Sequence, residues 1–217
     1  MSQLQVDIDL INKYNVAGPR YTSYPPANRF TNEVGWPQLA EEIIANNKTE
    51  GGLSLYFHIP FCETLCWYCG CNTVITTDYK QSGTYLTYLD KEMGQMASVI
   101  NPKRSVVQLH FGGGTPTFLA PSELKRLGEN IHKRFRIDPK MEAGVEIDPR
   151  RLSREHIEAL RGIGFNRASL GVQDFNAEVQ KAVHRIQPIE MTRQTIDWVR
   201  ELGFQSLNID LIYGLPK

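Results

Sequence analysis

The four cysteines of this chain fall within ten residues, at Cys62, Cys66, Cys69 and Cys71. Thiolates bind soft and borderline metals, so thiols this dense read first as a metal or iron–sulfur site. Cys62, Cys66 and Cys69 are spaced C-x3-C-x2-C. Three thiolates on so short a loop suit three irons of a cubane. The fourth iron then stays open to an outside ligand, as in an open catalytic metal site. Structural zinc is the competing chemistry and would take all four thiols. Zinc sites usually draw paired ligands from two separated knuckles, and a Cys-x-Cys end closes a tetrahedron awkwardly. Disulfides need an oxidising compartment. The N-terminal residues 1–9 lack the basic start and apolar stretch of a secretory signal. A cytoplasmic location with reduced thiols is therefore expected.

The elements that must position these thiols show in the hydrophobic pattern. Strand candidates are Leu53–Ile59, Val106–Phe111, Gly144–Asp148, Arg167–Val172 and Ser206–Ile212. Helical segments separate them, at about 82–100, 121–135, 153–161 and 176–202 with a break near Pro188. Strands alternating with helices imply βα units and a parallel sheet. Gly164 and Gly203 suit helix C-caps, and Ser153 suits an N-cap. The cysteine run leaves the C-terminal end of the first strand, where α/β proteins keep their active sites.

A parallel strand between two helix layers should be apolar on both faces. These strands alternate instead. Tyr56 and His58, Gln108 and His110, Glu146 and Asp148, Arg167 and Ser169, and Asn208 and Asp210 share one face. Leu55, Val107, Val145, Leu170 and Ile209 belong to the other. Period 2 predicts a polar interior inside a partial barrel, with the apolar face under the outer helices. Residues 1–50 read as an N-terminal extension, with short helices around Leu10 to Tyr14 and from Trp36 to Ala45. The barrel occupies 51–217. The sequence stops just past the fifth strand, so it is expected to be the front part of a longer protein, able to bind a cluster but not to turn over substrate alone.

Lys+Arg and Asp+Glu both total 24, which argues against a chain-wide pull toward nucleic acid. No apolar run reaches membrane-spanning length. His58 and His110 read as hydrogen-bonded strand residues more than as acid/base catalysts, and the pair Glu155 and His156 as surface.

C-x3-C-x2-C after a strand, with Phe111-Gly-Gly-Gly-Thr-Pro116 after the next, resembles the radical S-adenosylmethionine (SAM) superfamily. Gly18-Pro-Arg-Tyr-Thr-Ser-Tyr-Pro25, Leu55-Tyr-Phe-His-Ile-Pro-Phe-Cys62, Cys69-Gly-Cys-Asn72, Gly171-Val-Gln-Asp-Phe175 and Asn208-Ile-Asp-Leu-Ile-Tyr-Gly-Leu-Pro216 narrow the resemblance. They are similar to the oxygen-independent coproporphyrinogen III oxidases (dehydrogenases) of haem biosynthesis. That family implies a (β/α)6-type barrel, here cut after the fifth strand, and a [4Fe–4S] cluster on Cys62, Cys66 and Cys69. It also implies two SAM molecules. Glu146 would contact the first and Gln173, Arg185 and Asp210 the second; Gly113, Gly114 and Thr115 would touch both, and Tyr56 and Tyr68 would also contact cofactor. The family carries phenylalanine where this chain has Tyr68. Cys71 would be catalytic and not a cluster ligand. The implied reaction converts coproporphyrinogen III to protoporphyrinogen IX. An adenosyl radical takes a propionate hydrogen, carbon dioxide leaves, and an acceptor takes the remaining electron. A reduced flavodoxin- or ferredoxin-like donor would serve a monomeric enzyme, and Arg20 could pair a substrate carboxylate. A haem-binding chaperone on the same barrel is the alternative.

Overall fold

The computed structural model describes residues 7–16, 25–49 and 51–217. Its contacts group into two compact units, Met1–Leu39 and Ala40–Lys217. Helix α1 (Ile8–Tyr14) is capped by Asp7, whose Oδ1 accepts the Leu10 N–H at 3.0 Å; no residue of α1 is buried. Helix α2 runs from Trp36 to Asn46. Most of the Gly18–Pro25 motif, Arg20 included, lies outside the described residues.

Chain order then gives β1 (Leu53–Ile59), β2 (Phe61–Cys62), β3 (Val74–Ile75), α3 (Lys80–Val99), β4 (Ser105–Gly113), α4 (Pro121–Arg134) and β5 (Arg136–Ile147). After these come α5 (Arg154–Ile163), β6 (Arg167–Gln173), α6 (Ala177–Ala182), α7 (Ile189–Glu201) and β7 (Ser206–Leu211). Five strands form one parallel sheet in the order β1-β4-β5-β6-β7; β2 and β3 pair separately. Each helix follows from its sequence. In α3, Leu86, Leu89 and Met93 recur three and four apart and are buried. In α4, Leu124, Leu127 and Ile131 do the same. Gly164 ends α5 at φ 114°, a left-handed cap that glycine adopts without a Cβ penalty.

The core lies between the helices and the apolar sheet face. Phe57, Phe111, Val145 and Leu170 meet it from successive strands. Phe111 and Phe165, both fully buried, pack edge-on at 4.7 Å. Truncating a buried leucine such as Leu160 to alanine would cost about 2–5 kcal/mol.

Three expectations are corrected. Val107 does not share the apolar face: the β1–β4 and β4–β5 registers both slip beside it, Val106 is buried and Val107 is exposed. A bulge inserts one residue and reverses the alternation. β5 starts at Arg136, well before Gly144. Its pairing jumps from Ile137 to Glu142 opposite Val106 and Gln108, and Pro139, which has no N–H for a ladder, falls inside that bulge. His156 is not a plain surface residue. Its half-buried ring accepts the Ser153 N–H at Nδ1, 3.2 Å, at the start of α5. Burial lowers its pKa despite the neighbouring Glu155 charge.

The polar face holds a row of register partners: Tyr56 beside His110, Glu146 beside Ser169, Ser169 beside Asn208. It borders cavities of about 170 and 360 Å³. On β7 the apolar side is open, with Ile209 and Leu211 exposed.

Candidate active site

The cysteine loop leaves β1 at Ile59 and is fastened on both flanks. Pro60 O accepts the Val74 N–H at 2.7 Å and Cys62 O accepts the Thr76 N–H at 2.9 Å, which creates the β2–β3 pair. His58 Nε2 bonds Asn72 O at 2.9 Å, so this histidine ties down the far end of the loop. Glu63 is held by Arg151 at 2.6 Å and by the Tyr79 hydroxyl. On the other flank the Trp67 N–H reaches Val183 O at 3.0 Å, and His184 Nδ1 donates to Leu65 O at 2.9 Å. The Trp67 and His184 rings stack at 5.5 Å.

Each of the three spaced thiols has a polar partner. Cys62 Sγ meets Thr115 Oγ1 at 3.4 Å. Cys66 Sγ accepts from Arg150 Nη2 at 3.3 Å and from Arg185 Nη1 at 3.6 Å. Cys69 Sγ accepts the Cys71 N–H at 3.5 Å. Burial pushes the Cys62 thiol up, with Thr115 opposing it. Burial and the Cys69 sulfur push Cys71 to about 11. Both shifts favour the thiol over the thiolate. Among the described residues no three His, Cys, Asp or Glu side chains converge as one metal ion requires. A cubane does not ask for that convergence, because its thiolates bind separate irons.

Asp148, at the end of β5, joins two arginines behind Cys66. Arg150 Nε lies 3.0 and 3.1 Å from the two carboxylate oxygens, and Nη2 lies 2.6 Å from Oδ2. Arg185 Nη1 reaches Oδ2 at 3.0 Å, and its Nη2 donates to Gly171 O at 2.7 Å. Burial alone would raise the Asp148 carboxyl. The Arg150 hydrogen bonds and the Arg185 and Arg150 charges outweigh it and hold the group below the usual carboxylate range. Arg185 is buried between α6 and α7, not exposed on a helix, and its Nε has no partner.

The glycine turn after β4 packs against the cysteine loop itself. A Cβ on Gly114 would stand 2.8 Å from the carbonyl oxygens of Pro60 and Phe61, and Gly113 has φ 117°. Those close contacts let the Gly114 and Thr115 N–H groups donate to Ile59 O and Phe61 O at 2.8 and 2.9 Å. Glu146 accepts the Gly113 N–H at 3.3 Å and faces His110 Nε2 at 3.3 Å. Asp210 accepts from Ser169 Oγ at 2.9 Å and Asn208 Nδ2 at 2.6 Å. Gln173 takes the left-handed conformation, φ 71°, that a side chain rarely adopts; such strain collects at functional sites.

One cavity of about 170 Å³ gathers most of the expected residues. Cys62, Cys66, Cys69 and Cys71 line it with Tyr68, Gly113, Gly114 and Thr115; Glu146, Gln173, Arg185 and Asp210 complete it. Tyr56 is not in that lining. It stacks on His110 at 5.9 Å, and its hydroxyl bonds His58 Nδ1 at 3.1 Å. Burial, then Cys66, push the Tyr68 phenol up against the pull of Arg185. The donor set fits a cluster with SAM: three thiols at one end, carboxylates for hydroxyl or ammonium groups, and a buried guanidinium with a spare N–H. Arg150 was not foreseen. Asp148-Pro-Arg150-Arg151 offers two adjacent arginines, and only the turn after β5 decides which one faces Cys66.

Comparison with known proteins places the chain in a family. The chain is 45% identical over its whole length to the oxygen-independent coproporphyrinogen III oxidase of Pseudomonas aeruginosa and 44% identical over 98% of its length to that of Synechocystis. It covers 48% and 46% of those proteins, so it spans about half the length of the curated relatives it matches. The solved coproporphyrinogen III oxidase (HemN) of Escherichia coli, a radical SAM enzyme, superposes with a TM-score of 0.88 at 42% identity, over 99% of this chain and 47% of that one. A structure of anSMEcpe with bound AdoMet shares the fold at 15% identity, over 74% of this chain and 43% of that one, with a TM-score of 0.52. The Radical SAM superfamily model matches residues 56–217, from the first strand to the last; with the three spaced thiols at the mouth of a parallel sheet, this chain belongs to the radical SAM superfamily and to its [4Fe–4S] and SAM chemistry.

Proposed function

We propose that this chain carries the cofactor-binding part of an oxygen-independent coproporphyrinogen III oxidase, which forms protoporphyrinogen IX in haem biosynthesis. The observation that carries this reading is the shared cavity: spaced thiols, glycine turn, Glu146, Gln173, Arg185 and Asp210 all border it. Identity of 42–45% to proteins bearing that name supports the choice of substrate.

Cys62, Cys66 and Cys69 would hold the cluster. Glu146 would hold one SAM and Gln173, Arg185 and Asp210 a second; Gly113, Gly114 and Thr115 would touch both, with Tyr56 and Tyr68 as further cofactor contacts. When bound, the cluster and SAM supply the one-electron chemistry. The residues position it. The Arg185 Nε offers a charge-assisted donor to a carboxylate. Glu146 and Asp210 accept from ribose hydroxyl or ammonium groups. Cys71, an exposed thiol on the cavity wall, is the candidate for proton or hydrogen handling at the substrate.

The electron donor is a reduced flavodoxin- or ferredoxin-like protein, and the enzyme acts as a cytoplasmic monomer. No helix among the described residues is long and apolar enough to cross a membrane. Anaerobic reconstitution with iron and sulfide, reduction with SAM, and assay for 5′-deoxyadenosine test the proposal. Stable haem uptake with no SAM cleavage would overturn it in favour of a haem carrier.

A further inference from the structure

Arg150 spends one guanidinium on three partners. Nε and Nη2 fork the Asp148 carboxylate, Nη2 also donates to Cys66 Sγ at 3.3 Å, and Nη1 donates to Thr64 Oγ1 at 3.2 Å. Thr64 and Cys66 sit two residues apart on the cysteine loop, so the end of β5 grips that loop at two points. The Arg150 side chain is 18% exposed and Asp148 is 14% exposed, so water competes poorly for these bonds. Arg185 also reaches Cys66, but at 3.6 Å and with its other Nη committed to Gly171 O.

We infer that Arg150 is a positioning residue for the cluster: through its N–H···S bond to Cys66 and its hold on Thr64, it seats the Cys66 corner and raises the cluster's reduction potential. This rests on the proposed role of Cys66 as a ligand. A donor and a fixed positive charge at a ligating sulfur stabilise the added electron, and hydrogen bonds to the sulfurs are among the recognised determinants of cluster potential. Low local polarity strengthens the effect. Arg151 supplies the contrast: it is adjacent and equally charged, but its side chain is 73% exposed and bound to Glu63.

The test compares wild type with R150M, R150K and R151M after anaerobic reconstitution with iron and sulfide. Iron and sulfide content of the wild type is read first. A wild type without a cluster defeats the ligand reading itself and is distinct from failure of this inference. Midpoint potential and resonance Raman of the terminal Fe–S stretches follow. R150M is expected to be harder to reduce by at least a tenfold change in the one-electron equilibrium, about 59 mV more negative. Its terminal Fe–S stretches rise in frequency as the N–H···S bond is lost. R150K keeps the charge without the fork and falls between, while R151M stays near wild type. A loaded R150M with unchanged potential and stretches overturns the inference, as does an equal shift in R151M. If R150M does not fold, R150K decides: shifted Fe–S stretches support the inference, and unshifted ones overturn it.

Discussion

Asp148 is the only carboxylate facing the two guanidiniums behind Cys66 among the hydrogen bonds and ion pairs of the described residues. Asp148→Asn removes that charge and keeps the shape. Arg150 and Arg185, with 18% and 8% of their side chains exposed, are then left as two buried cations with no counter-ion. Breaking a buried pair from one side costs about 3–5 kcal/mol. Asparagine still offers one acceptor oxygen, which favours the lower end, about 3 kcal/mol. For a chain of this size each kcal/mol moves Tm by about 2–4 °C, so Tm should fall by roughly 6–12 °C. The assay is far-UV circular dichroism of the ligand-free protein on heating, under reducing conditions. The pH dependence has a definite sign. The folded-state pKa of Asp148 lies below its unfolded value. Its stabilisation is therefore complete above the unfolded pKa, about 3.9, and is lost as pH falls through the folded value. The gap between wild type and Asp148→Asn is wide at neutral pH and closes in acid. A variant melting within about 2 °C of wild type at pH 7, on the same scale, or a gap unchanged by acid, would refute the buried-triad account.

Gly114→Ala should unseat the cysteine loop, because its Cβ meets backbone carbonyls that cannot swing away; iron content after reconstitution drops, and full iron would count against the packing argument. Cys71→Ser should leave iron content after reconstitution at the wild-type level; iron loss like that of Cys66→Ser would make Cys71 a ligand instead. His156 has a folded pKa lowered mainly by burial, so its contribution is present above its unfolded pKa, about 6.5, and is lost as pH falls. His156→Gln should therefore flatten the decline of Tm between neutral pH and about pH 5.5; an unchanged slope would assign that decline to other groups.

Much of the barrel was legible because hydrophobic period and glycine caps are local signals. The first strand matches its expected bounds, and the break at Pro188 separates α6 from α7. The bulges at Val107 and before Glu142 were not legible, since a bulge is a property of two paired strands and leaves no mark in either alone. The thiol spacing and the glycine turn announced a site. What the glycines touch did not show: they make room for the cysteine loop's own carbonyls. Arg150 and the buried state of Arg185 were hidden for a similar reason. Arginines near turns are ordinary in any sequence, and only tertiary contact with Asp148 and Cys66 distinguishes these two.

The strands of the large sheet stand side by side in the order in which the ribosome makes them. Each connection therefore steps to the adjacent place and never threads between strands already laid down. The working groups sit on the rim where strands end, and the helical return segments lie elsewhere. Rim segments can then be lengthened, shortened or exchanged one at a time while the hydrophobic interior is kept. An evolutionary lineage built on this layout can acquire new substrates by piecemeal editing of one edge, with no need to invent a new scaffold.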